Sequence, residues 1–271
     1  MSKPSDATTI TVPTGLGPLA VRRLGSGPPA VLWHSLFVDG HSWDAVLPAL
    51  AATHHVYVID GPCHGASPGP GRRFTLDECA GAALAVLDHL SLDQVDWIGN
   101  AWGGHVGVVL ALRSPARVRS LAAICSPMQA MQPPARRKAT LLARLLRVLG
   151  WRGFIRGAVK GVLLHPPVRP EVAAYVDTAM RAPGKTRMLH AIHSVMIERT
   201  SLVEQLPRVV VPTLFATTRA STNWTVAAAT EQAARLADGR LEILGGGGHL
   251  PPLEDPTATA ALLTRWLARG A

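Results

Sequence analysis

The stretch Asp96-Trp97-Ile98-Gly99-Asn100-Ala101-Trp102-Gly103-Gly104 has the spacing of a turn built to carry a nucleophile. The mostly apolar run from Val95 to Ile98 reads as a short buried strand, and His105-Val106-Gly107-Val108-Val109-Leu110-Ala111-Leu112 resumes as a helix. Gly99 and Gly103 stand two residues either side of Ala101, where a tight strand-to-helix turn leaves no room for side chains. The central residue of such a turn projects from a strained backbone at the top of a sheet, and the helix N-terminus beneath it favours negative charge. Ser, Cys or Asp at that centre would be a nucleophile. Ala101 is not one, so an acyl- or alkyl-enzyme at this position is excluded. A phosphate-binding loop is excluded as well, because the required Gly-Lys-Ser/Thr is missing.

The elements that must hold this turn alternate along the chain. Strands are expected at Thr9–Val12, Leu19–Leu24, Ala30–Trp33, His55–Asp60, Val95–Ile98, Val118–Ile124, Pro212–Thr217 and Leu241–Leu244. Helices are expected from Ser42 to Ala52, Thr75 to about Leu90, after the elbow, Thr225 to Leu236 and Pro256 to Ala268. Thr75 followed by Glu78 has the pattern of a capping box. Alternation of this kind implies an α/β fold, a mostly parallel sheet with helices on both faces. Between Pro127 and Leu206 the rhythm breaks into helices alone, with Leu142, Leu145, Leu146 and Leu149 on one face and Arg137, Arg144 and Arg147 opposite. The expected organisation is therefore a core of residues 1–126 and 207–271, with residues 127–206 as a helical cap inserted in it.

This layout resembles the α/β-hydrolase superfamily, on four pieces in the family's order: His34-Ser35, the Asp60–Ser67 loop, the Gly99–Gly104 elbow, and Gly248-His249-Leu250-Pro251. The resemblance covers nearly the whole chain and implies an eight-stranded sheet. It assigns His249 to the catalytic base, and the backbone N–H groups of Leu36 and Trp102 to the oxyanion hole. It sets His34, Ser35 and Asn100 beside the substrate. The loop from Asp60 to His64 would fix structure. Two departures stand out: Ala101 occupies the nucleophile position and Ser221 the position of the triad acid. No Asp or Glu lies between Glu204 and Glu231, and the alternative acid site after Cys125 holds Ser126. Asp177, Glu198 and Glu204 of the cap remain as possible substitutes, and Arg219, on the acid loop, is a candidate partner for a substrate carboxylate.

Three readings follow. The first is an enzyme without a covalent intermediate, with His249 as general acid or base on a small, largely apolar substrate, catalysing elimination, cyclisation, isomerisation or direct addition of water. The second is an ester- or epoxide-type hydrolase whose nucleophile was replaced in the laboratory by Ala101. The third is a non-catalytic ligand-binding protein. No cofactor motif is present: Gly25-Ser26-Gly27 is followed by prolines and a strand rather than a helix.

Composition narrows the setting. Three widely spaced cysteines, Cys63, Cys79 and Cys125, argue against a disulfide framework or a zinc site and for a reducing, cytoplasmic compartment. No apolar run has the length of a membrane span or the frame of a signal peptide. The net charge is +9, and between Trp97 and Pro170 there are twelve Lys or Arg and no Asp or Glu. That basic segment is either a solvated face or a surface for an acidic partner or a membrane; nucleic acid is not expected.

Overall fold

Strand β5 (Val95–Asn100) is buried at every residue and lies between β3 (Pro29–Trp33) and β6 (Val118–Ile124). The computed structural model describes residues 7–269. The remaining strands are β1 (Thr8–Val12), β2 (Leu19–Leu24), β4 (His55–Ile59), β7 (Thr213–Thr218) and β8 (Gly239–Leu244). All eight form one sheet in the order β1-β2-β4-β3-β5-β6-β7-β8. The β1–β2 and β2–β4 pairings are antiparallel, and every pairing from β4 to β8 is parallel.

Parallel neighbours require crossovers, and helices supply them. They are α1 (Leu47–Ala51), α2 (Leu76–His89), α3 (Trp102–Arg113) and α8 (Val226–Ala233), with α9 (Pro251–Glu254) and α10 (Pro256–Leu267) closing the chain. Side chains alternate between the two faces of each strand. Val31 and Trp33 therefore join a core with Trp97, with Val86 of α2 and with Val106 of α3. Leu32 and Ile98 face the other way, toward Leu47 of α1 and Leu263 of α10. A sheet covered on both faces explains the near-continuous apolar runs of its inner strands.

Local chemistry sets the ends of these elements. The capping box forms: Thr75 Oγ1 accepts from the Glu78 N–H at 3.1 Å, and Glu78 Oε2 accepts from the Thr75 N–H at 2.9 Å. The helix expected over Ser42–Ala52 divides instead into a 3-10 turn at Gly40–Trp43 and the short α1. Pro48 is the reason, since it has no N–H to give to a preceding turn and is accommodated only in the first turn of α1.

Between β6 and β7 the chain forms α4 (Pro133–Leu149), α5 (Gly153–Leu163), α6 (Pro170–Arg181) and α7 (Lys185–Ile192), followed by a π turn at His193–Ile197. These helices pack onto loops that leave the C-terminal ends of β3, β4, β6 and β8. Tyr175 donates its hydroxyl to Asp39 Oδ1 at 2.7 Å, and its burial together with Asp39 raises the Tyr175 pKa. Ser194 Oγ accepts from the Phe74 N–H at 2.8 Å, and Glu254 Oε1 from the His165 N–H at 2.7 Å. The half-buried Arg199 guanidinium donates to the carbonyls of Pro127, Met128 and Gln129; loss of solvent lowers its pKa to about 10.

Candidate functional site

The elbow is enforced by contact between backbones. A Cβ on Gly99 would lie 2.0 Å from the carbonyl carbon of Gly103, and one on Gly103 would lie 2.1 Å from the Trp33 oxygen. The Trp97 indole N–H also donates to Gly103 O at 2.9 Å, fastening the first turn of α3 to β5. Ala101, between them, has φ 50° and ψ −103°, a region that costs a residue with a side chain roughly 1–3 kcal/mol. Its N–H donates to Ile124 O at 2.7 Å and its carbonyl accepts from Gly104 and His105. Trp102 opens α3, so its N–H has no partner within the helix. The Leu36 N–H likewise donates to nothing among the described residues.

The Trp102 side chain packs inward. It lies edge-on to Trp33 and His34, at 5.3 and 5.5 Å between ring centroids, and tilted against His64 at 5.2 Å. His34 is wholly buried. Its Nε2 accepts from the Gly61 N–H at 2.9 Å, which places the ring proton on Nδ1, donated to Ser35 O at 2.7 Å. Burial lowers the His34 pKa to about 4 and the His64 pKa to about 3. Ser35 is buried and donates weakly to Leu36 O at 3.4 Å. Asn100 Nδ2 bridges Ile124 O at 3.0 Å and His249 O at 3.2 Å. His34, Ser35 and Asn100, expected beside a substrate, thus use their polar atoms to hold the surrounding loops in place.

His249 arrives on the loop after β8. Its N–H donates to Leu163 O of α5 at 3.0 Å, and the preceding carbonyl, of Gly248, accepts from Thr218 Oγ1 at 3.0 Å. With Asn100 on its own carbonyl, the backbone of His249 is tied at once to the elbow, to the end of β7 and to the inserted helices. The imidazole is partly exposed, but its Nδ1 is sealed and has no hydrogen-bond partner among the described residues. Burial alone lowers its pKa to about 4, with no carboxylate acting to raise it.

Both acid positions hold hydroxyls engaged with backbone. Ser221 Oγ accepts from the Trp224 N–H at 3.2 Å, and Ser126 Oγ donates to Ile124 O at 2.9 Å. The inserted carboxylates do not substitute for them. Asp177 pairs with Arg156, Lys160 and Arg181, Glu198 with Arg73 and His193, and Glu204 with Arg235. Arg219 is exposed, and its N–H donates to Leu244 O at 3.3 Å. Among the described residues no group of three or more His, Cys, Asp or Glu is placed to hold a metal ion.

One residue near the site belongs to no sequence motif. His105, one helical turn after Ala101, is buried. Its Nε2 donates to Pro127 O at 2.9 Å while Nδ1 is sealed without a partner. Burial and the nearby Arg199 lower its pKa, with His249 adding to the effect. The position four residues past the elbow centre, on the same helix face, was the available clue. A surface concavity of about 650 Å³ lies elsewhere, on the inserted helices beside Arg136, Arg137, Arg144 and His193.

The chain is similar to several known proteins. Over 248 residues it is 27% identical to the putative carbamate hydrolase RutD of Pantoea ananatis, covering 89% of this chain and 88% of that protein. It is 40% identical over 100 residues to the dihydrolipoyllysine-residue acetyltransferase component of the acetoin cleaving system of Pseudomonas putida, a match spanning 37% of this chain and only 27% of that protein. The crystal structure of a hydrolase from Pseudomonas aeruginosa PA01 superposes with a TM-score of 0.86 at 26% identity, covering 97% of this chain and 98% of that one. A family model described as the alpha/beta hydrolase family matches residues 30–262. With that match running from β3 into α10, the chain belongs to the alpha/beta hydrolase family.

Proposed function

We propose that this chain is an enzyme acting on a small, largely apolar carbonyl substrate without a covalent intermediate, with residues 127–206 as the cap over its site. His249 is the general base, acting from Nε2 because Nδ1 is sealed. The Leu36 and Trp102 N–H groups receive the developing oxyanion or enolate. Ala101 leaves the nucleophile's place to water or to the substrate itself. In water addition, His249 takes a proton from water as the water oxygen bonds to the carbonyl carbon; the tetrahedral adduct then collapses, the bond from that carbon to the leaving group breaks, and His249 returns the proton to the departing group. General-base help contributes about 10²–10⁴-fold and one oxyanion donor about 10²–10³-fold, so useful rates need no nucleophile.

The observation that supports this reading is the tether: Asn100 fixes the His249 backbone to the elbow, whose Trp102 amide, like that of Leu36, has no partner among the described residues. The names of relatives, a putative carbamate hydrolase and a hydrolase, favour water addition over elimination, cyclisation or isomerisation. An imidazole with a pKa of about 4 is fully in its base form at neutral pH but is a weak base. That restricts the substrate to carbonyls with good leaving groups, or to protons already made acidic. A serine hydrolase disabled only at Ala101 would have kept its acid, and here both acid positions are hydroxyls.

A panel of activated esters, lactones and carbamates, followed by intact-protein mass spectrometry, tests the proposal. Turnover should fall by about 10²–10⁴-fold in His249→Ala, with no burst and no covalent adduct. It should be level above about pH 5 and fall as pH drops through the His249 pKa near 4. A trapped acyl adduct, or undiminished turnover by His249→Ala, would overturn it. No turnover across the panel would favour a ligand-binding protein.

A further inference from the structure

We propose that the outer face of α4 and α5 docks on an anionic lipid bilayer. Seven large apolar side chains stand exposed among the described residues, and five of them belong to this helix pair: Leu141, Val148, Leu149, Phe154 and Val162. Val148 is 77% exposed and Phe154 57%. Isolated exposed apolar residues are ordinary, but clustering of this kind marks an interaction surface.

Charge identifies the occupant. On the face of α4 opposite the buried Ala143 and Leu146 come Arg137, Leu141, Arg144 and Val148, spaced so that all four share one side, the first three bordering the concavity beside His193. Arg136, Lys138, Arg147 and Arg152 are exposed beside them. Among the described residues none of these six basic side chains has a carboxylate partner, whereas Arg156 and Lys160, on the flank of α5, pair with Asp177. The outward face of α5 is Phe154, Gly157, Ala158, Gly161 and Val162, with nothing charged on it, while Ile155, Val159 and Leu163 are buried behind.

Basic side chains interleaved with apolar ones on a helix lying at a surface satisfy both parts of a lipid interface, the anionic headgroups and the acyl boundary below them. An acidic protein would answer the arginines but leave Phe154, Val148 and Val162 with no apolar region to enter. A second copy packed face to face would set arginine against arginine. Among the described residues no helix is long and apolar enough to cross a membrane, so the docking is peripheral. The last turn of α5 also holds the His249 N–H through Leu163 O, which brings the candidate site to within about one helix diameter, ~10 Å, of the docked face.

Flotation with vesicles of phosphatidylcholine alone, and of equal parts phosphatidylcholine and phosphatidylglycerol, tests this independently of any catalysis. The protein should float with the anionic vesicles at low salt and not with the neutral ones. Each basic residue near an anionic surface is worth about fivefold in binding, so Arg137→Gln, Arg144→Gln and Arg147→Gln together should weaken it roughly 10²-fold. Val148→Ser with Phe154→Ser should weaken it about tenfold or more at unchanged charge. These side chains are exposed, and unchanged melting curves will show that both variants fold. Absence of flotation with phosphatidylglycerol would overturn the proposal. So would full binding by the Val148→Ser, Phe154→Ser variant, with equal affinity for soluble polyglutamate, which would indicate an acidic macromolecule. A lipid-free dimer in sedimentation that the same variant abolishes would assign the face to a second copy.

Discussion

The elbow and the loop after β7 both hold the His249 segment, yet they have kept different things. Asn100, at the elbow, binds the His249 carbonyl, and Thr218, at the end of β7, binds the carbonyl of Gly248. The elbow's contribution is made of backbone: the Trp102 amide, without a partner among the described residues, and glycines whose replacement would drive atoms to within 2.1 Å of the main chain. The acid loop's contribution in the family is one side chain. In this chain Ser221 Oγ accepts from the Trp224 N–H, and the sequence has no Asp or Glu between Glu204 and Glu231. Features built from packing survive a change of chemistry, because altering them breaks the fold; a lone side chain has no such protection. The glycines of the elbow therefore testify to the fold, and only the unpartnered amides and the tethered histidine bear on function.

The largest test of that contrast is stability. Gly99→Ala places a methyl 2.0 Å from the Gly103 carbonyl carbon and should destabilise the protein by more than ~4 kcal/mol, in the range reserved for severe core disruption. Ser221→Ala removes one hydrogen-bond acceptor and should cost about 1 kcal/mol. Urea denaturation at neutral pH measures both. Comparable losses for the two variants would remove the distinction between packed elbow and expendable acid loop.

The pH dependence of stability gives the next effect. His34, His64 and His249 have pKa values lowered to about 4, 3 and 4, and His105 is lowered too, all chiefly by burial. These groups stay neutral in the fold, while the unfolded chain binds their protons near pH 6.5. Their contribution is thus complete above about pH 6.5 and is lost progressively as pH falls toward 4. Each of these groups therefore withdraws stability as the unfolded chain takes up its proton, and the urea midpoint should fall steadily between pH 7 and pH 4.5. Restoring a carboxylate by Ser221→Asp should act the other way on one of them, raising the His249 pKa in an imidazole NMR titration. An unmoved His249 resonance would mean that position 221 no longer faces it.

Most of the fold was legible because apolar runs, glycine turns and the Thr75–Glu78 box are local signals, and the strands fall within a residue or two of their expected places. Pro48 divided one expected helix, a break its own chemistry announced. The packing of the four inserted helices was not legible, since it rests on contacts such as Tyr175 with Asp39 and His165 with Glu254, between residues far apart in sequence. The elbow turn could be read from its glycines, and the loop that carries His249 from its place after the last strand. The internal bonding of His34 and Asn100, the sealed Nδ1 of His249 and the neighbouring His105 depend on three-dimensional burial, which spacing alone does not encode.

The smallest expected effect is the most diagnostic, and it comes from Ala101→Ser. The serine hydroxyl would project from the same strained backbone, φ 50° and ψ −103°, with the Leu36 and Trp102 amides free to receive an oxyanion. What it would lack is a base able to carry a proton. Among the described residues His249 has no acceptor for its Nδ1, and its pKa is near 4, so the imidazolium that must form on serine attack is not stabilised. Loss of the orienting acid alone costs about 10⁴-fold where a full triad exists. Ala101→Ser should therefore hydrolyse p-nitrophenyl acetate barely above buffer and without a burst. Adding Ser221→Asp should recover part of the ~10²–10⁴-fold that a competent general base supplies, and mass spectrometry should then find an acetylated protein. The wild-type reaction should tolerate Ala101→Ser better than His249→Ala, because the methyl of Ala101 takes no part in it. Vigorous ester turnover by the single variant would show that the acid loop's emptiness is of no consequence, and that the missing hydroxyl alone had silenced a serine hydrolase.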